Sequence, residues 1–190
     1  MLKGNDQTNA YVLLATACDG TMATTAQFTS IRVVCNNTLA VAVKGFTGNA
    51  IKVKHSSEFN ADLVKRRLGI SVTAWDDFMY RLKTLSERKM KTSEVRSYFH
   101  KVFTDDSGTG LGRTSEQSMA KALSLYEGKG MGATLASSEG TAYGMLNAVT
   151  EFIDHQRRAR TVDNRLDSAW FGTGAAIKSR ALDQAMALVL

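Results

Sequence analysis

The stretch Gly140–Leu182, GTAYGMLNAVTEFIDHQRRARTVDNRLDSAWFGTGAAIKSRAL, decides how this chain is read. Tyr143, Leu146, Val149, Phe152 and Ile153 fall at steps of three and four. That spacing lines one face of a helix with apolar side chains and predicts a helix over Gly140–Arg160. Two more follow, near Asn164–Phe171 and over Gly174–Leu190, divided by Gly172-Thr173-Gly174. Arg157, Arg158 and Arg160 close the first helix, where cations also meet the negative end of its dipole.

The same period recurs upstream. Trp75, Phe78, Met79, Leu82 and Leu85 predict a long helix behind a pair resembling a capping box, Thr73 and Asp76. Thr92 or Ser93 restarts a helix through Tyr98, Phe99, Val102 and Phe103. Thr114–Glu127 is another, stopped by Gly128, and Ser56 or Ser57 caps one that Gly69 closes. Thr104–Arg113 reads as a loop and Gly128–Ser138 as a flexible stretch. Nearer the N-terminus the pattern turns to strands. Tyr11–Ala17 and Met22–Arg32 bracket the turn signal Asp19-Gly20 and predict a β-hairpin. Ala50–His55 alternates as a third strand, whereas Val33–Val43 fits a short helix about as well as a strand. The expected fold is α+β: a small antiparallel sheet, the N-terminal hairpin plus a third strand, followed by a helical majority. Residues 1–190 are expected to form a single domain, with 1–55 mainly strands and 56–190 mainly helices.

A hydrophobic fraction of 44% and a charged fraction of 22% are ordinary for a soluble globular protein. The absence of proline is not; average usage would give roughly nine, and their loss suits a helix-rich chain with glycine turns. No apolar run approaches a membrane span, and Met1–Ala10 lacks the apolar core of a signal peptide. Cys18 and Cys35 make no disulfide framework and read as reduced thiols of a cytoplasmic protein. The net charge of +6 is unevenly spread. Lys52–Lys101 carries 12 basic and 6 acidic residues, 12 − 6 = +6, so the remainder of the chain is balanced. Such a segment is either a surface that attracts phosphate or a solvated helical face.

Within it, Lys65, Arg66 and Arg67 together with Arg88, Lys89 and Lys91 could form a basic stripe over two helices. Arg157, Arg158 and Arg160 form a second group. Single-strand binders combine such cations with stacking aromatic rings. Trp75 and Phe78 belong to an apolar stripe, which leaves Tyr80 and Tyr98 as the stacking candidates. Glu151, Asp154 and His155 share a helical face, where a carboxylate and an imidazole one turn apart can ligate a metal or exchange a proton. A mononuclear site needs a further ligand, and neither His55 nor His100 sits in a motif that supplies one. The alternative is polar surface chemistry or a helix–helix hydrogen bond. Gly108–Arg113 lacks the Gly-Lys-Ser/Thr ending of a phosphate loop and a strand to feed it. No catalytic residue, metal ligand or cofactor is expected.

The phrases RVVCNNTLAVAV (Arg32–Val43), Gly140–His155 and Arg165–Leu182 resemble the phage/plasmid-like protein family, a domain of unknown function numbered nine hundred thirty-two. The resemblance covers most of the chain and is looser over Thr73–Lys129. It implies a gene of phages, prophages and plasmids and, since family members carry a considerable region before the hairpin, the C-terminal part of the family's length. It brings no catalytic set. A small hairpin-rich sheet followed by helices and a basic surface also resembles phage single-strand annealing proteins, at the level of fold alone. The leading expectation is a non-enzymatic, oligomeric binder of nucleic acid, single-stranded DNA in particular, in the bacterial cytoplasm. The competing one is a mobile-element inhibitor of a host defence complex, such as a CRISPR effector, that works through protein–protein contact.

Overall fold

The apolar runs on either side of Asp19 do pair. In the computed structural model, which describes residues 1–17, 19, 23–40, 50–54, 56–58, 60–62, 71–104 and 113–189, β1 (Thr8–Ala15) runs antiparallel to β2 (Thr24–Arg32). The register sets Thr8 opposite Arg32 and Ala15 opposite Thr25. Val33–Val43 is neither one helix nor one strand. The amide of Asn36 donates to Arg32 O at 2.8 Å, closing a turn that feeds the short strand β3 (Thr38–Ala40). Val41–Val43 lie outside the described residues. The strand expected at Ala50–His55 is β4 (Ala50–Val53). β4 pairs with Thr24–Gln27 and β3 with Thr29–Ile31, so the two share the edge of β2 that β1 leaves open. Among the described residues the sheet therefore has four strands, one more than the hairpin plus a third. Three residues are too few for a period of two to show.

Six helices follow among the described residues: α1 (Ser71–Glu87), α2 (Thr92–Phe103), α3 (Arg113–Ser124), α4 (Ala142–Glu151), α5 (Val162–Trp170) and α6 (Thr173–Met186). α1 begins two residues before Thr73, which is therefore not its cap. The Glu94 carboxylate accepts from the Lys91 amide at 2.9 Å and starts α2. α3 widens into a π-type turn, Leu125–Lys129, inside which Gly128 adopts φ 120°, a left-handed value suited to glycine. α4 is capped by the Thr141 hydroxyl, which accepts from the Gly144 amide at 3.1 Å. It too passes into a π-type turn, Phe152–Gln156, and there it stops, short of the Arg160 end expected. The helix expected from Ser56 or Ser57 to Leu68 falls mostly outside the described residues, as does the loop Asp105–Gly112.

Every residue of α4 is buried. A helix buried on all sides sits at the centre of a core, and α4 packs against α1, α3 and α6, with Asn147, Thr150 and Glu151 as its buried polar members. Leu85, Phe99, Val102, Met145, Leu146, Val149 and Ile153 are the large side chains wholly inside. Phe28 carries the sheet into this core by meeting Trp75 edge-on, with ring centres 6.0 Å apart.

Gly128–Ser138 is not the flexible stretch its composition predicts. Met131 to Gly140 form successive turns held from both sides. The Met131 amide donates to both carboxylate oxygens of Glu151 at 3.1 Å. Arg32 reaches Ser138 Oγ at 2.8 Å and the Gly132 carbonyl at 3.3 Å. The turns end against α4 so closely that a Cβ on Gly144 would stand 2.1 Å from the Ser138 carbonyl oxygen. Because that neighbour is backbone, Gly144→Ala is expected to cost about 1–3 kcal/mol through overpacking, read as a lower urea midpoint. An unchanged midpoint would show that the turns yield freely.

Candidate nucleic-acid interface

The basic residues singled out by the sequence divide by what their side chains do. Arg88 meets Glu94 at 2.7 Å and also donates to the carbonyls of Lys89 and Leu188. Lys89 donates to the Glu139 carbonyl at 2.6 Å. Both serve as ties between α1, the turn before α4 and the end of α6, so their hydrogens are directed at protein. Lys91 is exposed, and its backbone starts α2. Lys65, Arg66 and Arg67 lie outside the described residues.

The second group is more open. The backbone leaves the helical path at Arg157 after the π-type turn. Arg157 Nη1 donates to Ser168 Oγ at 3.1 Å and Thr173 Oγ1 at 2.9 Å, fixing the joint between α4, α5 and α6. Arg158 and Arg160, beyond this anchor, are exposed, and among the described residues neither forms an ion pair or a side-chain hydrogen bond. Arg165 comes back to the joint, with Nη1 3.5 Å from the His155 carbonyl and its buried Nε without a hydrogen-bond partner among the described residues. The sequence reading missed Arg165; its signal was position, one turn into the helix that Thr161 caps through the Asn164 amide at 3.1 Å.

Arg88 touches Leu188 beyond the end of α6, and Arg157 touches Thr173 at its start. At 1.5 Å per residue these points are separated by ~22 Å. The two basic groups therefore mark opposite ends of one helix rather than a single patch. The candidate stacking rings also separate. Tyr80 is 72% exposed on α1. Tyr98 is a correction: it is buried, donates its hydroxyl to the Ala181 carbonyl at 3.0 Å, and has its pKa raised by burial. Its position, three after Val95 and four before Val102, places it on the buried stripe of α2, where no base can reach it.

Glu151, Asp154 and His155 do not converge. Glu151 turns to Met131, and burial raises its pKa against that hydrogen bond. Asp154 accepts from the Thr38 amide at 2.7 Å, the Thr38 hydroxyl at 2.9 Å and Lys178 Nζ at 2.7 Å. His155 Nε2 lies 2.9 Å from the Cys35 carbonyl. The π-type turn spreads residues that an α-helix would align. Among the described residues no group of three or more His, Cys, Asp or Glu is placed to hold a metal ion. Cys35 is buried, and burial pushes its thiol up to about 11, so near neutral pH it stays protonated and unreactive. No helix among the described residues is long and apolar enough to cross a membrane.

The architecture is thus an α+β fold with basic groups at the two ends of its last helix. Residues 1–170 match the family model described as Domain of unknown function (DUF932), and the chain belongs to that family. No curated protein and no solved structure matches it.

Proposed function

We propose that this protein is a non-enzymatic nucleic-acid binder of a phage or plasmid, acting on single-stranded DNA in the cytoplasm of the bacterial host. The observation that carries this reading is the arginine joint. Arg157 is spent on holding the backbone, and Arg158 and Arg160 are thereby presented to solvent on a fixed segment. Guanidinium groups held this way suit phosphate, which they can meet with two parallel hydrogen bonds. Lys91 and the exposed Tyr80 add a cation and a ring of the kind single strands use. Arg88 and Lys89 contribute positive field, not direct contact, because their donors are engaged within the fold.

Fluorescent single-stranded DNA titrated at several salt concentrations tests this. Affinity should fall steeply with salt, and Arg158→Glu with Arg160→Glu should weaken binding to every sequence alike. If each arginine meets one phosphate, the slope of log K against log salt becomes shallower by about 1.4. Absence of binding at low salt, or a slope untouched by the pair of substitutions, would refute it.

A second reading uses the same face. Val162 and Leu166 are 61% and 48% exposed, one turn apart on α5 beside the arginines. An apolar pair rimmed by cations suits a protein partner, as an inhibitor of a host defence complex such as a CRISPR effector requires. Retained binding to such a complex with no affinity for DNA would select this alternative.

A further inference from the structure

The sheet meets the central helix α4 around a small polar cavity of about 20 Å³. Its walls include Thr8 of β1, Ser30 and Arg32 of β2, Asn37 just before β3, and Asn147 and Thr150 of α4. All six are buried. Two of them carry a polar atom that the fold leaves unsatisfied: Thr8 Oγ1 and Asn37 Oδ1 have no hydrogen-bond partner among the described residues. Thr8 and Asn37 are 8% and 4% exposed, so bulk solvent does not supply one. Buried polar atoms without a bond are costly enough to be rare. The Asn37 amide cannot relieve itself by turning over. Its Nδ2 donates to the Asn147 carbonyl at 3.2 Å, and a flipped group would set two acceptors against each other. Thr8 is one of the groups that oppose the burial raising the Tyr143 pKa to about 12, but it lacks the geometry of a hydrogen bond.

We infer that this cavity is a binding site for one ordered water molecule, held at the seam between the sheet and α4. Size admits it: about 20 Å³ exceeds the roughly 10–15 Å³ that a single water requires and leaves little room for a larger guest. The balance of donors and acceptors identifies the occupant. Asn37 Oδ1 has to be given a hydrogen, which a halide or other simple anion does not carry. A metal cation would find the Arg32 guanidinium among the described walls and no carboxylate to offset it. Water supplies what each orphaned atom lacks. It donates one hydrogen to Asn37 Oδ1 and accepts from the Thr8 hydroxyl. Its second hydrogen is left for a lone pair of Ser30 or Thr150, whose own hydrogens go to the Leu39 and Asn147 carbonyls at 3.2 Å and 2.9 Å. Three bonds are the usual complement of a buried water.

A high-resolution crystal structure of the full chain tests this directly, and because it needs no nucleic acid it is independent of the DNA-binding reading. One peak should lie about 2.5–3.0 Å from both Asn37 Oδ1 and Thr8 Oγ1. A cavity without density overturns the proposal, and so does a peak ringed by six or more oxygens at about 2.3–2.6 Å, the signature of a bound cation. The sign of a stability change gives a second test. Thr8→Val replaces the hydroxyl by a methyl group of nearly the same shape. If that hydroxyl bonds a water, the unfolding constant measured in urea should rise by about 2- to 12-fold. If the hydroxyl has no partner, the same substitution removes a buried polar burden and lowers the constant. An unchanged or lower constant therefore counts against the site.

Discussion

Asp6→Ala is expected to destabilise the fold by about 3–5 kcal/mol, the usual cost of removing one member of a buried ion pair. Arg32 Nε lies 2.9 Å and 3.1 Å from the two oxygens of Asp6, and Nη2 lies 2.7 Å from Oδ2. Asp6 and Arg32 are 1% and 3% exposed. Burial works to lower the arginine pKa, but the hydrogen bond and charge of Asp6, with smaller contributions from Tyr143 and Cys35, raise it overall. A guanidinium cannot shed its proton at accessible pH. Without Asp6 it keeps its charge in the interior, with Ser138, the Gly132 carbonyl and the Tyr143 ring as its remaining partners. Urea unfolding would read the loss, which is a large fraction of a typical stability of about 5–15 kcal/mol. Adding Arg32→Met should recover part of it, because the stranded charge leaves as well. A double variant as unstable as the sum of the singles would show that hydrogen bonding to Ser137 and Ser138, rather than charge, dominates.

Asp154→Ala should also be costly, by a few kcal/mol at neutral pH, but with a pH dependence that Asp6→Ala lacks. Lys178 is 3% exposed, with Nζ 2.7 Å from Asp154 Oδ1 and 2.7 Å from Thr38 Oγ1. Burial already lowers its pKa, and only Asp154 opposes the shift. Removing Asp154 drops the folded-state value further below the unfolded one. The unfolded state of the variant then binds more protons than the folded state, so its stability rises with pH, by at most about 1.4 kcal/mol per unit. Between pH 7 and 9 the deficit relative to the parent should therefore shrink. Above that range Cys35, raised to about 11, and Tyr143, raised to about 12, act in the opposite sense, because burial favours their protonated forms. Their contribution is present below the unfolded values and fades as pH climbs through the folded ones. A deficit constant from pH 7 to 9 would mean that Lys178 keeps its proton on other partners.

The elements that were legible in the sequence are those with a local cause. The hairpin announced itself by two apolar runs around Asp19, and α1, α2 and α4 by apolar residues at steps of three and four. What escaped depends on partners distant in the chain. Nothing near Asp6 or Arg32 marks them as a pair, and nothing near Lys178 points to Thr38. The same reason explains the mixed outcome for the basic residues. Charge is visible in the sequence, but whether an arginine faces solvent or a carbonyl is decided by packing, as Arg88 and Arg158 show. The grouping of Glu151, Asp154 and His155 assumed an α-helical turn, and a wider turn stands there instead. Tyr98 was the one misplacement the periodicity itself could have prevented, since Val95, Phe99 and Val102 define its stripe.

The spans of the buried polar contacts have a consequence for biosynthesis. Asp6 bonds Ser137 and Thr38 bonds Lys178, groups 131 and 140 residues apart along the chain. At roughly 5–20 residues per second, a ribosome needs roughly 10–35 s to go from Asp6 to Lys178. For most of that interval the residues of the hairpin have been made while the Ser137 and Lys178 they bond through Asp6 and Thr38 have not, so these polar groups are still hydrated. Closure of these contacts must come late, as expected of partners this remote in sequence. Until then the nascent chain displays its strand edges to every neighbour on the same message.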